Sequence, residues 1–210
     1  PGRRTLRRRA GGGAMMPTPD HFQVLVACES SGTVREAFRR FGIAALSCDL
    51  LETEQPGPHY HGDVLDIIDQ PWDLVIMHPD CTYLTCSAEW PYSDGPYHQR
   101  VKPGTLVGEK RRVARDHALL FVQKLWGCPA RRKCLENPKG VINRRLPWMP
   151  KPQYIQPHQF GHDASKGTAL WLENLPGLEP TEYVKPRVVN GRPRWANQTD
   201  SGQNRLPPGP

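Results

Sequence analysis

The sequence predicts an α/β fold built on a doubly wound, mostly parallel sheet. Three observations carry this. Short apolar runs of strand length stop at polar residues, at Cys28-Glu29, Asp49, Asp63, Asp80-Cys81 and Glu136-Asn137. Segments with helical spacing lie between some of these runs, and the runs themselves are nearly continuous in apolar residues, as strands covered on both faces must be. With 210 residues, 37% of them hydrophobic and six Trp among them, the chain is the size of one domain and can bury a core.

The elements follow in order. Residues 22–27 read as a strand that ends at Cys28-Glu29-Ser30-Ser31-Gly32. Residues 33–41 then place Val34, Ala37, Phe38 and Phe41 at helical intervals before Gly42. A second strand, 43–48, stops at Asp49, and a third segment stops at Asp63. The fourth run begins at Asp73 and leads through His78-Pro79-Asp80 to Cys81. Residues 82–104 are rich in Tyr, Ser, Pro and Gly and form a loop of about 20 residues, a length that in compact domains usually marks function, here a lid over the site. The spacing predicts a helix over 107–126 with Ala114, Ala118, Phe121 and Leu125 on its inner face and Gly127 at its end. A strand at 133–135 ends at Glu136-Asn137-Pro138. Beyond it the pattern weakens: prolines break 150–157, residues 169–172 read as a short strand, and Asn190-Gly191 signals a tight hairpin.

Charge is unevenly spread. Residues 1–20 hold five Arg and one acid and almost nothing apolar, the composition of a disordered basic arm. The net charge of +7 therefore leaves only +3 on the rest of the chain. Basic clusters remain at Arg111-Arg112, Arg131-Arg132-Lys133, Arg144-Arg145 and residues 187–194, where they can follow a phosphate backbone or simply face solvent. No run approaches the roughly 20 apolar residues of a membrane span, and the arm lacks a secretory apolar segment. A cytoplasmic protein with no membrane partner and six reduced cysteines is expected. The chain begins with Pro, and Met15-Met16 reads as a natural start.

In an open α/β sheet, ligands collect outside the carboxyl ends of the strands. The turn at 29–33 offers backbone N–H groups and a helix N-terminus for an adenosine cofactor, Asp49 is placed for a ribose hydroxyl, and Asp63 for an adenine amino group. An Asp at a strand end is more often a turn or helix cap; the ordered set of three is what points to a cofactor. Most cysteines are small buried hydrophobes. Cys81 differs in following a strand end, preceding a long loop and having Glu136 at the end of a neighbouring strand. A thiolate adds to carbon 6 of cytosine when a carboxyl group binds or protonates ring nitrogen 3, which makes carbon 5 nucleophilic toward a methyl donor. Metal is not expected, because His59, His61, His78, Cys81, Cys86, Cys128 and Cys134 include no Cys-x-x-Cys and no deaminase signature.

Ala27-Cys28-Glu29-Ser30-Ser31-Gly32, Asp49, Asp63, Pro79-Asp80-Cys81 and Glu136-Asn137-Pro138 occur in the order and at about the spacing of DNA (cytosine-5) methyltransferases. The chain most resembles the short phage-type members, which also show segments like Gln159-Phe160-Gly161-His162, residues 166–172 and Ser201-Gly202-Gln203-Asn204. The resemblance covers roughly 24–207. It implies a Rossmann-like S-adenosylmethionine-dependent methyltransferase fold, with 21–150 as the cofactor-binding and catalytic part and 151–210 as a small irregular remainder of the same domain. It implies S-adenosyl-L-methionine held by Cys28, Glu29, Ser30, Gly32, Asp49, Asp63 and Pro79. Cys81 is then the nucleophile, and Glu136 with Asn137 holds the ring. The implied partner is double-stranded DNA with a flipped cytosine, met by a monomer in the cytoplasm of a bacterial or phage-infected cell.

Departures from the pattern carry expectations of their own. Asp80 stands where the family usually has Pro, and its charge should raise the Cys81 pKa and reduce the thiolate. The first cofactor turn is Ser30-Ser31-Gly32 instead of a glycine-richer one. The Arg-rich motif after Glu-Asn has no clear counterpart, and Lys166 or Arg144-Arg145 are the substitutes. Relatives continue past Leu206-Pro207-Pro208 into a closing helix, so truncation is expected. There is room for only short DNA specificity. Free nucleotides are the alternative acceptor, and a nucleic-acid-binding relic the alternative role. An amino-group methyltransferase would want an Asp/Asn-Pro-Pro-aromatic motif that is absent here.

Overall fold

A computed structural model of the chain describes residues 22–86, 89–98 and 100–203. The basic arm of residues 1–20 and the closing residues from Asn204 lie outside the described residues.

All five residues of strand β1 (Gln23–Ala27) are buried, which places it at the centre of a sheet covered on both faces. Strands β2 (Ala44–Asp49) and β4 (Leu74–Met77) flank it in parallel. Outside them lie β3 (His59–His61), parallel to β2, and β5 (Arg132–Pro138), parallel to β4. Strand β7 (Thr168–Glu173) runs antiparallel along β5, and β6 (Gln153–Ile155) runs antiparallel along β7. The order is β3-β2-β1-β4-β5-β7-β6. A separate hairpin joins β8 (Arg187–Val189) to β9 (Arg192–Arg194) through Asn190 and Gly191, both at positive φ, as its Asn-Gly signal predicts.

Side chains alternate across the sheet. Val24, Val26, Ala45 and Leu74 meet Val34 and Phe38 of helix α1 (Thr33–Arg40) on one face. Leu25, Ala27, Val75, Met77 and Leu135 meet Leu119, Val122 and Leu125 of helix α2 (Gly108–Trp126) on the other. The sheet is therefore mostly parallel and wound on both sides, as expected. The chain reverses direction across the sheet between β1 and β4, and this switch point opens a crevice at the carboxyl ends.

Five local expectations are corrected. The third strand stops at His61, and Asp63 instead caps a short 3-10 turn over Val64–Asp66. Strand β5 runs on through Glu136-Asn137-Pro138, because β7 pairs with all three residues. The inner face of α2 is Arg115, Leu119, Val122, Leu125 and Trp126, with Ala118 and Phe121 at its margin. Arg115 lies inside because its guanidinium meets the Tyr83 carbonyl at 2.9 Å, the Glu89 carboxylate at 2.9 Å and the Tyr92 ring at 3.4 Å. Those contacts also fasten the described part of the 82–104 loop to α2, so it is a packed wall there and not a free lid. On α1, Ala37 and Phe41 are exposed, while Arg35 is fully buried and donates to Ser47 Oγ at 2.8 Å and the Gln55 carbonyl at 2.8 Å. Arg35 thereby holds the β2–β3 loop in place. No helix among the described residues is long and apolar enough to cross a membrane.

Candidate active site

The first half of the site forms where β1 ends. Cys28 takes a positive φ of 60° and Gly32 one of 70°, which turns the chain sharply into α1. A Cβ on Gly32 would run into the Arg35 guanidinium. Within this turn Glu29 Oε1 accepts from Ser31 Oγ at 2.9 Å and from the Val34 N–H at 2.8 Å. Its Oε2 is buried and has no hydrogen-bond partner among the described residues. A buried carboxyl oxygen without a donor is costly unless a ligand supplies one. It borders a cavity of about 300 Å³ lined by Cys28, Glu29, Ser30, Ser31, Val34 and His78, at the switch point itself.

Asp49 at the end of β2 and Asp63 at the cap of the 3-10 turn each do the ordinary work of a turn or cap Asp. Asp49 Oδ1 accepts from the Leu51 N–H at 2.9 Å, and Asp63 Oδ1 from the Leu65 N–H at 3.0 Å. Each keeps its second oxygen without a bond among the described residues. Burial, followed by the charges of Asp49, Cys48 and Asp63, pushes the Cys28 thiol up to about 12. Cys28 is thus a neutral lining group, and Asp49 and Asp63 lie near enough for their charges to act on it.

The second half forms where β4 and β5 end. Asp80 Oδ1 accepts from the Thr82 N–H at 2.9 Å and its hydroxyl at 2.7 Å, and the Cys81 carbonyl accepts from the Leu84 N–H at 3.0 Å. The resulting tight turn fixes where the thiol stands. Asn137, only 1% exposed, donates from Nδ2 to the Pro79 carbonyl at 2.9 Å and stitches the two strand ends together. The loops beyond them are also joined, by a bridge between Thr85 and Gly140 and by the Val141 N–H donating to the Leu84 carbonyl at 2.8 Å.

Electrostatics distinguish the two candidate partners. Burial, then the charge of Asp80, pushes the Cys81 thiol above its ordinary 9.0; Lys166 pulls the other way. Burial acts to raise the Glu136 carboxyl, but the His78 contact and the Lys166 charge outweigh it and hold the group below its ordinary 4.5. His78 Nδ1 is 3.6 Å from Glu136 Oε2, while its Nε2 is buried with no partner among the described residues. Lys166 arrives because β7 is antiparallel, so the turn leading into β7 lies at the carboxyl end of β5.

The structure therefore brings Cys81, Glu136 and Lys166 to one edge and Cys28, Glu29 and Ser30 to the crevice one strand away; Gly32, Asp49 and Asp63 do not line that cavity, although the charges of the two Asp reach Cys28. Asn137 and Pro79 bond to each other and hold the frame. His78 joins the two halves, since it lines the cavity and touches Glu136. The sequence offered it only as a metal ligand; its position at a strand end beside Cys81 was the available signal. Among the described residues no three His, Cys, Asp or Glu side chains are grouped to hold a metal ion.

No protein-family model matches this chain, and no curated protein matches it. Among solved structures it is similar to an rRNA methylase from Escherichia coli, at 14% identity and a TM-score of 0.37, over 72% of this chain and 57% of that one. The chain thus spans little more than half of that neighbour's length, and so slight a likeness carries no argument about fold or activity.

Proposed function

We propose that this protein transfers a methyl group from S-adenosylmethionine to carbon 5 of cytosine in DNA, through a transient bond from Cys81 to carbon 6. One observation carries the reading: a thiol, a carboxylate and a cation (Cys81, Glu136 and Lys166) share the edge beside a cavity that contains an unpaired buried carboxyl oxygen.

The residues of the crevice fit the cofactor. Glu29 Oε2 lacks a donor, which the ammonium of S-adenosylmethionine would provide, and the second oxygens of Asp49 and Asp63 suit a ribose hydroxyl and an adenine amino group. When bound, the cofactor supplies an electrophilic methyl on a sulfonium. Cys81 must lose its proton and add to carbon 6, leaving carbon 5 as the nucleophile. Glu136 faces the ring nitrogen and amino group, and His78 is a neighbour able to hand it the proton that the ring nitrogen takes up. Once carbon 5 has taken the methyl and left a neutral thioether behind, the carbon 5 proton passes to solvent, the electrons of that bond expel the Cys81 thiolate, and the ring nitrogen returns its proton to Glu136 and His78. A stacked cytosine hides carbon 6, so the base has to be turned out of the helix.

A second reading, nucleic-acid binding without transfer, is favoured by the two pKa directions, since a raised thiol and a lowered carboxyl both oppose the addition step. Incubation with labelled S-adenosylmethionine and duplex DNA separates them. Label is expected at carbon 5 of cytosine, and none with Cys81→Ser. Transfer that survives Cys81→Ser sinks the mechanism, label on dCMP alone moves the acceptor to a free nucleotide, and no calorimetric binding of the cofactor favours the second reading.

A further inference from the structure

The segment 139–154 directly follows Glu136 and has two unlike sides. Val141, Ile142, Leu146 and Met149 are at most 4% exposed and root it in the core. The outward positions are Lys139, Arg144, Arg145, Trp148, Lys151 and Tyr154, all exposed. From Asn137 to His162 the sequence contains no Asp or Glu. Among the described residues none of the four cations makes an ion pair. Solvated faces normally mix both signs. The outer face of α2 does so, with Glu109 and Asp116 among Lys110 and Arg112. Segment 139–154 does not.

Two exposed rings lie among these cations. Trp148 is 55% exposed and Tyr154 is 54% exposed, and the Lys139 ammonium lies 6.0 Å from the Tyr154 ring. Position links the surface to the chemistry. The Thr85–Gly140 bridge ties it to the loop that carries Cys81, and the charges of Arg144 and Arg145 reach Glu89 on the same loop. Four neighbouring cations without an ion pair among the described residues repel one another unless a polyanion crosses them, and exposed rings between cations are the means by which proteins hold displaced bases.

Resting on the DNA reading above, we propose that Lys139, Arg144, Arg145 and Lys151, with Trp148 and Tyr154, form the surface that binds the backbone of the DNA carrying the acceptor cytosine. The cations meet phosphates, and Trp148 stacks on a base freed from its neighbours. The surface sets where the duplex lies relative to Cys81.

Fluorescence anisotropy with labelled duplex DNA, between about 50 and 200 mM salt, tests it on the full chain. The basic residues 1–20 are present in every variant, so differences report this surface alone. Replacing the four cations by Gln is expected to weaken binding at least about tenfold and to lower the slope of log affinity against log salt by about 0.9 for each phosphate that is no longer neutralised. Trp148→Ala is expected to weaken single-stranded DNA binding by roughly five- to a hundredfold with little change in the salt slope. Unchanged melting temperatures show that these surface variants fold. Affinity and slope equal to wild type overturn the surface, even if methyl transfer to DNA proceeds. Loss of binding as described supports the surface even if Cys81 transfers nothing, and equal loss toward RNA makes it a general phosphodiester surface and overturns the commitment to DNA.

Discussion

Asp80 stands beside the one thiol that has to ionise, and its carboxylate already has two bonds, from the N–H and hydroxyl of Thr82. Replacement by Asn keeps an oxygen for both bonds and removes only the charge. Because that charge raises the Cys81 thiol, Asp80→Asn should lower it and enlarge the thiolate fraction at neutral pH. The expected result is a rate at neutral pH about three- to tenfold above wild type, with the gap closing in alkali; a slower Asp80→Asn protein would remove thiol ionisation from the rate. His78 gives the opposite case. Its contact helps to hold Glu136 below the ordinary carboxyl value, so His78→Gln should let that carboxyl rise, keep it protonated to higher pH and move upward the step of the pH–rate profile that it controls. A rate loss of roughly ten- to a hundredfold should accompany the shift, because the proton relay is gone, and an unmoved profile would reduce His78 to packing. Asp80 was legible from sequence because its effect is on the next residue. The role of His78 was not, since only the pairing of β4 with β5 brings Glu136 to it.

At the scale of elements, the parallel strands were readable because burial on both faces demands continuous apolar runs, which β1 and β4 supply. What was not readable came from contacts between distant segments. The length of β5 is decided by β7, and the register of α2 by Arg115, a charged residue that turns inward to bonding groups at Tyr83 and Glu89. Arg35 escaped notice for the same reason. Gly140 shows how tightly the two site loops are joined: a Cβ there would strike the carbonyl oxygen of Leu84, which is backbone and cannot turn aside like a side chain. Gly140→Ala should therefore push the β4 and β5 loops apart and cost about 1–3 kcal/mol, read as a lower urea midpoint. It should also slow transfer more than it weakens cofactor binding, because the crevice at Glu29 lies on the far side of β4. Equal stability of the variant would mean that the two loops do not pack as closely as the Thr85–Gly140 bridge requires.

Over the whole molecule, the same titrations that set activity also limit the range in which the fold survives. Cys28 and Cys48 are pushed up to about 12, and Cys134 to about 11, in each case chiefly by burial. These groups are neutral in the folded chain, and once unfolded they ionise near 9.0. A raised thiol contributes stability that is complete below the unfolded value and is lost as pH rises toward the folded one, so loss should begin near 9.0 and continue to about 11 or 12. For Cys48, which is 0% exposed, the loss should reach about 1 kcal/mol by about pH 10. At the acid end the sign reverses: Glu89 and Glu136 are lowered, so their contribution is present above 4.5 and fades as pH falls below it. Cys81 pulls against the alkaline limit, because its raised thiol makes transfer faster as pH climbs. The product is an alkaline optimum whose falling limb reports unfolding and not chemistry. Urea midpoints followed from neutral to alkaline pH should drop along that limb, and Cys48→Ala with Cys134→Ala should flatten the drop and carry the activity maximum to higher pH. If the midpoints flatten while the activity maximum stays in place, the falling limb belongs to a group in the site, and the link between fold stability and optimum is broken.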